Sequence, residues 1–476
     1  MMIRSALWMG ILLVAVACSR TETIIVRSPV IVATPASDPS DDVPQPVVAS
    51  SVLRIAELLP FETFDPLLAR NNSDFRKIQL AYEGLFRLNS QGQPVPDLAQ
   101  SVEISADSLV YTVRLRQNAF YHNDPSFSSG LGRQVTSNDV IQAFSRMTSR
   151  DVPENAARLF APVILGFDLH NREQRDLYLT DLRQTTSIPG IERVDSRTVR
   201  FVLNQPNPNF LHLLASPYAV IYPMESVTVM NTRPVGTGAY RLQAQHGDSL
   251  TTFVLNMGHP DTASFKIRRV DFIHKTNEAR TYRALVLKDV DMIAEVGPII
   301  AQGIPDIQPN QFSIISFPNR DQVSVSLNPS NANGVSMEDA VALIRAVFTD
   351  SLDANLRRSG YERIAFADVD ADQIPSRPIS YKLTPHLHED LVSRLLYVQL
   401  RRMADVGLLS GEAISREVTL YTSHSTRFMT EPMTPDYRDV VRFDINGYRM
   451  IHPSVSGFDA SPYSWWLDLR GVEIRR

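Results

Sequence analysis

Residue types able to do chemistry are scattered along this chain rather than gathered. His386-x-His388-Glu389 offers metal-ligand types at close spacing, but it stands at the start of an expected helix, where polar side chains belong in water. Asp289 and Asp291 could pair as two carboxylates, yet carboxylates at a strand end ordinarily face water. Pro234-Val235-Gly236-Thr237-Gly238-Ala239-Tyr240 has two glycines around a threonine, which suits a loop needing positive φ and close backbone approach. As a phosphate cradle it is weak: no Gly-Lys-Ser/Thr follows, and a strand rather than a helix comes next. The chain has no Gly-x-Ser-x-Gly elbow, no Walker loop and no dinucleotide fingerprint. The expectation is a protein that is not an enzyme and carries no cofactor or metal. Binding alone needs only a cleft with apolar walls and a few placed polar groups.

Length and composition bound what could hold such a cleft. A chain of 476 residues exceeds a single core, so two or more lobes are expected. Hydrophobic residues at 43% and charged residues at 21% are ordinary for a globular protein. A net charge of −5 argues against a nucleic-acid partner, which wants a basic face. Cys18 is the only cysteine, so no internal disulfide forms. It follows Arg4, an apolar run over Ala6–Ala17 too short to span a bilayer comfortably, and the small residues Ala15-Val16-Ala17. This segment resembles a bacterial lipobox, with Ala15 where leucine is more usual; the bland reading is an ordinary cleavage site beside a chance cysteine. Ser19–Ser50 carries Pro29, Pro35, Pro39, Pro44 and Pro46 among Ser, Thr and Asp, and reads as an extended, semi-rigid tether.

The elements that would position a site begin near Val52. Val52–Ala56 reads as a strand, followed by a loop holding Phe64-Asp65-Pro66. Phe75, Ile78, Gln79 and Tyr82 keep helical spacing up to Gly84. In Pro94–Asp124, Asp97 can cap a short helical turn across Leu98–Ser101, and Ala106-Asp107-Ser108 is a turn cluster. Leu109, Tyr111, Val113 and Leu115 then alternate with Val110, Thr112, Arg114 and Arg116, a strand with one buried face. Thr136 precedes a helix with Asp139 at its third position. Pro189-Gly190-Ile191 and Thr198–Phe201 give a turn and then a strand. Ile379–Leu383 reads as a strand, and His388–Leu408 as a long helix ending at Gly407. Tyr463, Trp465 and Trp466 could form an aromatic platform. Neighbours on a strand face opposite sides, so packing of a terminal strand is the favoured reading.

In order and wording these segments resemble the family 5 extracellular solute-binding proteins, the peptide- and nickel-binding components of ABC importers. The resemblance is carried by Phe64-Asp65-Pro66 with Tyr82-Glu83-Gly84-Leu85, by Pro94–Asp124, by Pro234–Tyr240 with Ala239 in place of proline, and by Ala284–Met292 with Lys288 where glycine is common. It implies an α/β chain with the type II periplasmic-binding-protein fold, two lobes around a ligand cleft. The implied organisation is a lipoprotein signal peptide over 1–18, a Pro-rich tether over 19–51, lobe I with the family's extra subdomain over 52–275, a shortened lobe II over 276–439, and strands returning to lobe I over 440–476. The implied ligand contacts are Leu59, Pro60, Phe61 and Glu62, then Glu295, Val296 and Gly297, then Arg320 and Asp321. Lipidation falls on Cys18. The implied partners are a small-molecule or peptide ligand and the permease subunits of an ABC importer. The implied setting is a monomer held to a bacterial membrane by its N-terminal lipid, with the folded domain in the periplasm or outside the cell. The alternative is a sensory or interaction lipoprotein that kept the scaffold and lost peptide transport.

One departure bears on the ligand. Peptide-binding relatives usually carry a Trp-x-x-Asp segment after the long helix, whose aspartate receives the ligand's α-ammonium. Leu408–Asp439 contains no tryptophan and no Trp-x-x-Asp. A buried ammonium without its carboxylate is strongly disfavoured. The expectation is that the usual amine anchor is not used here.

Overall fold

The computed structural model describes residues 49–176, 183–297, 301, 311–327, 361–366, 380–384, 417–426, 438–458 and 463–475. All of them belong to one compact unit, Val47–Arg476. The chain enters through β1 (Ala49–Ser50) and β2 (Val52–Glu57). Leu53 and Ile55 of β2 are fully buried in the main core, while Ala56 packs into a second cluster with Leu285, Ile293 and Met450. Both faces of β2 are therefore covered, as expected of a strand flanked by parallel neighbours.

Helix α1 (Asn72–Ala81) follows. Asn71 caps it, its side chain accepting from the Asp74 N–H at 2.9 Å. Phe75 and Ile78 are buried as their spacing predicts. The next stretch departs from expectation. Ala99–Ile104 is not a helical turn but a strand, β3, paired antiparallel to β4 (Val110–Leu115) from Ala99 opposite Leu115 to Ile104 opposite Tyr111. A continuous ladder outweighs one local cap. Asp97 is instead buried against a cavity of about 90 Å³ shared with Glu83 and His259. Burial and the nearby Glu83 push its carboxyl well above the usual range. The expected turn before β4 is present, with Ser108 left-handed at φ 57°, and Tyr111, Val113 and Leu115 form its buried face.

Helix α2 (Ser137–Arg146) starts as its sequence predicts: the Asp139 carboxylate accepts from the Thr136 N–H at 2.8 Å and hydroxyl at 2.9 Å. Arg146 of α2 forms an ion pair with Asp65, so Phe64-Asp65-Pro66 ties the loop after β2 to this helix. Strands β5 (Ile191–Asp195) and β6 (Thr198–Val202) complete a four-stranded sheet in the order β3-β4-β6-β5.

The main sheet has ten strands. A hairpin of β7 (Tyr240–His246) and β8 (Leu250–Leu255) leads to β9 (Arg269–His274), which lies parallel to β2. Helix α3 (Glu278–Val286) crosses over to β10 (Met292–Val296), parallel to β2 on its other side. The sheet continues through β11 (Ser313–Leu327), β12 (Tyr361–Phe366), β13 (Ser380–Thr384), β14 (Glu417–Thr426) and β15 (Arg438–Ile451). Its order is β7-β8-β9-β2-β10-β15-β11-β14-β13, with β12 on β15. Strand β10 thus shares one sheet with β2.

A three-stranded sheet closes the unit, with β16 (Val455–Ser456) and β1 on either side of β17 (Glu473–Arg475). Residues 463–470, expected to continue as strand, are irregular.

Candidate functional site

Strands β9, β2 and β10 run parallel, and their carboxyl ends carry the segments that sequence singles out. Open α/β sheets bind their ligands outside those ends. After β2, Pro60 and Glu62 are exposed, Leu59 is half-buried and Phe61 is buried, its ring 4.2 Å from that of Phe64. The loop is pinned at both ends. Leu58 O lies 3.2 Å from His274 Nε2. The Glu62 and Thr63 N–H groups donate to Asp74 Oδ1 at 2.9 and 3.4 Å. Burial raises the Asp74 carboxyl to about 6, against the pull of those backbone donors.

Beneath this loop lies a buried charge network that the sequence did not announce. Glu57 ends β2 on the face of Leu53 and Ile55, and is buried with them. Arg76, with no exposed surface, donates from Nε and Nη2 to the two Glu57 oxygens at 2.8 and 2.5 Å. Its remaining donors reach Ser464 O at 2.7 Å and Glu295 Oε2 at 3.3 and 3.4 Å. Asn72 Nδ2 donates to Glu295 Oε1 at 2.8 Å and to Ser464 Oγ at 3.0 Å. Burial would raise the Glu57 carboxyl, but Arg76 and Lys77 outweigh it and hold the group below its usual range. Lys77 Nζ donates to Ser73 Oγ at 2.6 Å and lies 4.6 Å from the Phe272 ring centroid. Burial brings that lysine down to about 8. Arg449 of β15 donates to Ser464 O and Trp466 O at 3.3 and 3.1 Å. Burial, with the Arg76 charge, lowers it to about 9.

Helix α1 therefore holds both segments expected to meet ligand: Asp74 pins the loop at Glu62, and Arg76 ties Glu295 to Glu57. Glu295 is a quarter exposed and is the partner of Arg76 nearest solvent. Val296 is buried, and the Gly297 N–H donates to Glu278 Oε1 at 3.2 Å. The third segment is placed in backbone only. Asp321 lies in β11 opposite Ile445 and Thr426, just past a register step after Phe317 and Gly447. The side chains of Arg320 and Asp321 lie outside the described residues, as do Cys18, His386, His388 and Glu389. A signal for Glu57 was available: it continues the alternation of Leu53 and Ile55. Nothing local marks Arg76, flanked by Phe75 and Lys77.

Three other expectations are corrected. Asp291 does not face water. It is buried and accepts from the Arg54 N–H at 2.9 Å, Nε at 3.1 Å and Nη2 at 3.1 Å, while Asp289 is exposed. Gly236 and Gly238 do not adopt positive φ. They are required by close approach alone: an added Cβ would stand 2.0 Å from Ala81 O at Gly236 and 2.3 Å from Leu80 O at Gly238. The Gly238 N–H donates to Ala81 O at 2.9 Å, and both glycine carbonyls meet His122 at 2.8 Å. This loop clamps the end of α1. Trp465 and Trp466 are not on a strand, and both are buried. Tyr463 stacks on Trp465 at 5.1 Å, and Trp466 Nε1 donates to Leu88 O at 3.0 Å. Lys288, where relatives favour glycine, is left-handed at φ 60°.

A profile of the bacterial extracellular solute-binding proteins, family 5 Middle, matches residues 93–358. The chain belongs to this family. Among curated family 5 relatives, Di/tripeptide-binding protein 2 of Pseudomonas aeruginosa is 32% identical over 171 residues, 34% of this chain and 29% of that protein. The periplasmic murein peptide-binding protein MppA of Escherichia coli is 24% identical over 237 residues, 48% of this chain and 41% of its own. The aligned stretches thus span under half of either relative. Solved structures extend the likeness in fold. The Escherichia coli murein tripeptide binding protein MppA superposes with a TM-score of 0.69 at 16% identity, covering 90% of this chain and 100% of that one. Haemophilus influenzae OppA does so with a TM-score of 0.69 at 13% identity, with the same coverage. The fold is the type II periplasmic-binding-protein fold.

Proposed function

We propose that this family 5 chain is the lipid-anchored solute-binding component of an ABC importer and that it takes peptide-like solutes without the usual amine anchor. The observation that carries the reading is the site at the carboxyl ends of β9, β2 and β10, where α1 ties both segments down, Asp74 at Glu62 and Arg76 between Glu57 and Glu295, while Pro60, Glu62 and Glu295 remain open to solvent. In this reading Leu59, Pro60, Phe61, Glu62, Glu295, Val296 and Gly297 form one wall of the cleft, with Arg320 and Asp321 leading towards the other. In this reading the chain leaves lobe I near residue 276 and returns near 440. The relatives named for dipeptides and murein peptides support a peptide-like solute.

Titration calorimetry against a mixed di- to pentapeptide library tests the ligand. The expected result is binding that survives N-acetylation of the peptides. Micromolar binding abolished by N-acetylation would overturn the amine-free reading. Failure of every peptide, with no solute co-purifying by native mass spectrometry, would favour a sensory or interaction lipoprotein. The missing Trp-x-x-Asp favours that second reading, and importer genes beside this one would argue against it. The anchor has its own test: Cys18→Ala expressed in a bacterial host is expected to lose membrane attachment. Full membrane retention with a normally cleaved signal would refute lipidation.

A further inference from the structure

A groove of about 510 Å³ runs along α3, away from the Arg76 network. Lys275 and Thr276 stand at its head, and Arg280, Arg283 and Ala284 line its middle. Leu287 and Asp289 stand at its foot. The spacing from Thr276 to Arg280, Ala284 and Leu287 keeps these residues on one side of the helix and its flanks. Arg280 and Arg283 are exposed. Among the described residues the Arg280 guanidinium bonds to Thr276 Oγ1, at 3.0 Å. Among the described residues neither Lys275, Arg280 nor Arg283 has a carboxylate within ion-pairing distance, and Asp289 has no cation. Elsewhere on this face arginines are matched, as Arg54 is to Asp291 and Arg269 to Asp271. Three cations with no carboxylate beside them among the described residues stand out on a chain of net charge −5. Leu287 beside them is 58% exposed, so the lower end of the groove offers one apolar contact next to Asp289.

We infer that this groove docks an extended acidic segment of a partner protein, with carboxylates over Lys275, Arg280 and Arg283, an apolar side chain on Leu287, and a neutral or basic residue at Asp289. The order of charges along the helix fixes the direction of that segment. From Arg280 to Leu287 the stripe runs about 10 Å at the helical rise. A strand-like segment covers that span with roughly three residues, whereas one phosphate or carboxylate cannot reach both ends. A flat bilayer cannot enter a concave hollow, and three cations fall short of the four to eight, roughly, that hold a polybasic segment to anionic lipid.

The test is fluorescence anisotropy of the full chain with a fluorescein-labelled, glutamate-rich hexapeptide ending in leucine and lysine. The peptide is acetylated and amidated so that its termini offer no charge to a solute cleft. Binding is expected to weaken about tenfold in the Arg280→Ser/Arg283→Ser double variant, the sum expected of two exposed charge contacts. It is also expected to weaken with added salt. Both arginines are exposed, so an unchanged melting temperature should show the variant is folded. Equal binding by wild type and variant, or no binding, would overturn the inference. So would displacement by inorganic phosphate at the same ionic strength, which would mark a small-anion site. Arginine-dependent retention on phosphatidylserine vesicles without peptide binding would mark a lipid surface and overturn it equally.

Discussion

Arg76→Met is expected to lower the unfolding free energy at neutral pH by about 3–5 kcal/mol, the range for breaking one side of a buried ion pair. The substitution keeps the aliphatic stem and removes the fork that meets both Glu57 oxygens, Glu295 and Ser464 O. Glu57 then stays buried without its hydrogen-bonded partner, offset only by the charges of Lys77 and Arg449. The double variant Glu57→Met/Arg76→Met should cost much less than the single one, because it removes both charges. The pH dependence has a definite sign. In the wild type the Glu57 carboxyl is held below its unfolded value of 4.5. Its contribution is therefore complete above that value and is lost as pH falls through the lower folded value. Without Arg76, burial prevails and the carboxyl takes a proton more readily, so the gap between wild type and variant should narrow on acidification. Urea denaturation at neutral pH and in mild acid measures both effects. A loss below about 1 kcal/mol at neutral pH would mean that water reaches this network and that it is not a buried pair.

The second large effect is steric. Gly236→Ala is expected to cost at least about 3 kcal/mol or to prevent folding, because its Cβ would stand 2.0 Å from a backbone oxygen of α1 that cannot swing aside. Gly247→Ala is the matched control. Gly247 is left-handed at φ 53° with nothing within 4 Å of an added Cβ, so only the conformational penalty of about 1 kcal/mol applies. Thermal melts of the two variants should therefore separate clearly. If they are equal, the clamp between Gly236 and Ala81 is not what the motif is for.

What could be read from sequence was whatever is decided locally. The alternation over Leu109–Leu115, the cap at Thr136 and the turn at Ser108 each depend on a few adjacent residues, and each is present. Asp97 was misread because a cap is a local signal, whereas the ladder between β3 and β4 is not. Asp291 was misread because its partner Arg54 is 237 residues away, and no pattern near either residue records the other. The candidate site follows the same division. The loop Leu59–Glu62 was found by resemblance. Asn72, Asp74 and Arg76, which hold that loop and Glu295 in place, look like ordinary polar positions of a helix until all of α1 but Gln79 is seen to be buried. Trp465 and Trp466 read locally as strand residues, yet Trp466 is held by Leu88, 378 residues away in the chain.

The pairing of β1 with β17 has a topological consequence. Ala49 lies opposite Arg475 and Ser50 opposite Ile474, so the first and last strands of the folded unit are direct neighbours. Opposed residues in such a pair are about 5 Å apart, a gap that a short peptide bridge closes. The order of the chain is thus separable from its architecture. The ends could be spliced and new ones opened at the exposed hairpin tip around Gly247 without breaking a strand of the main sheet. By the same token, a label fused after the last residue would sit beside β1.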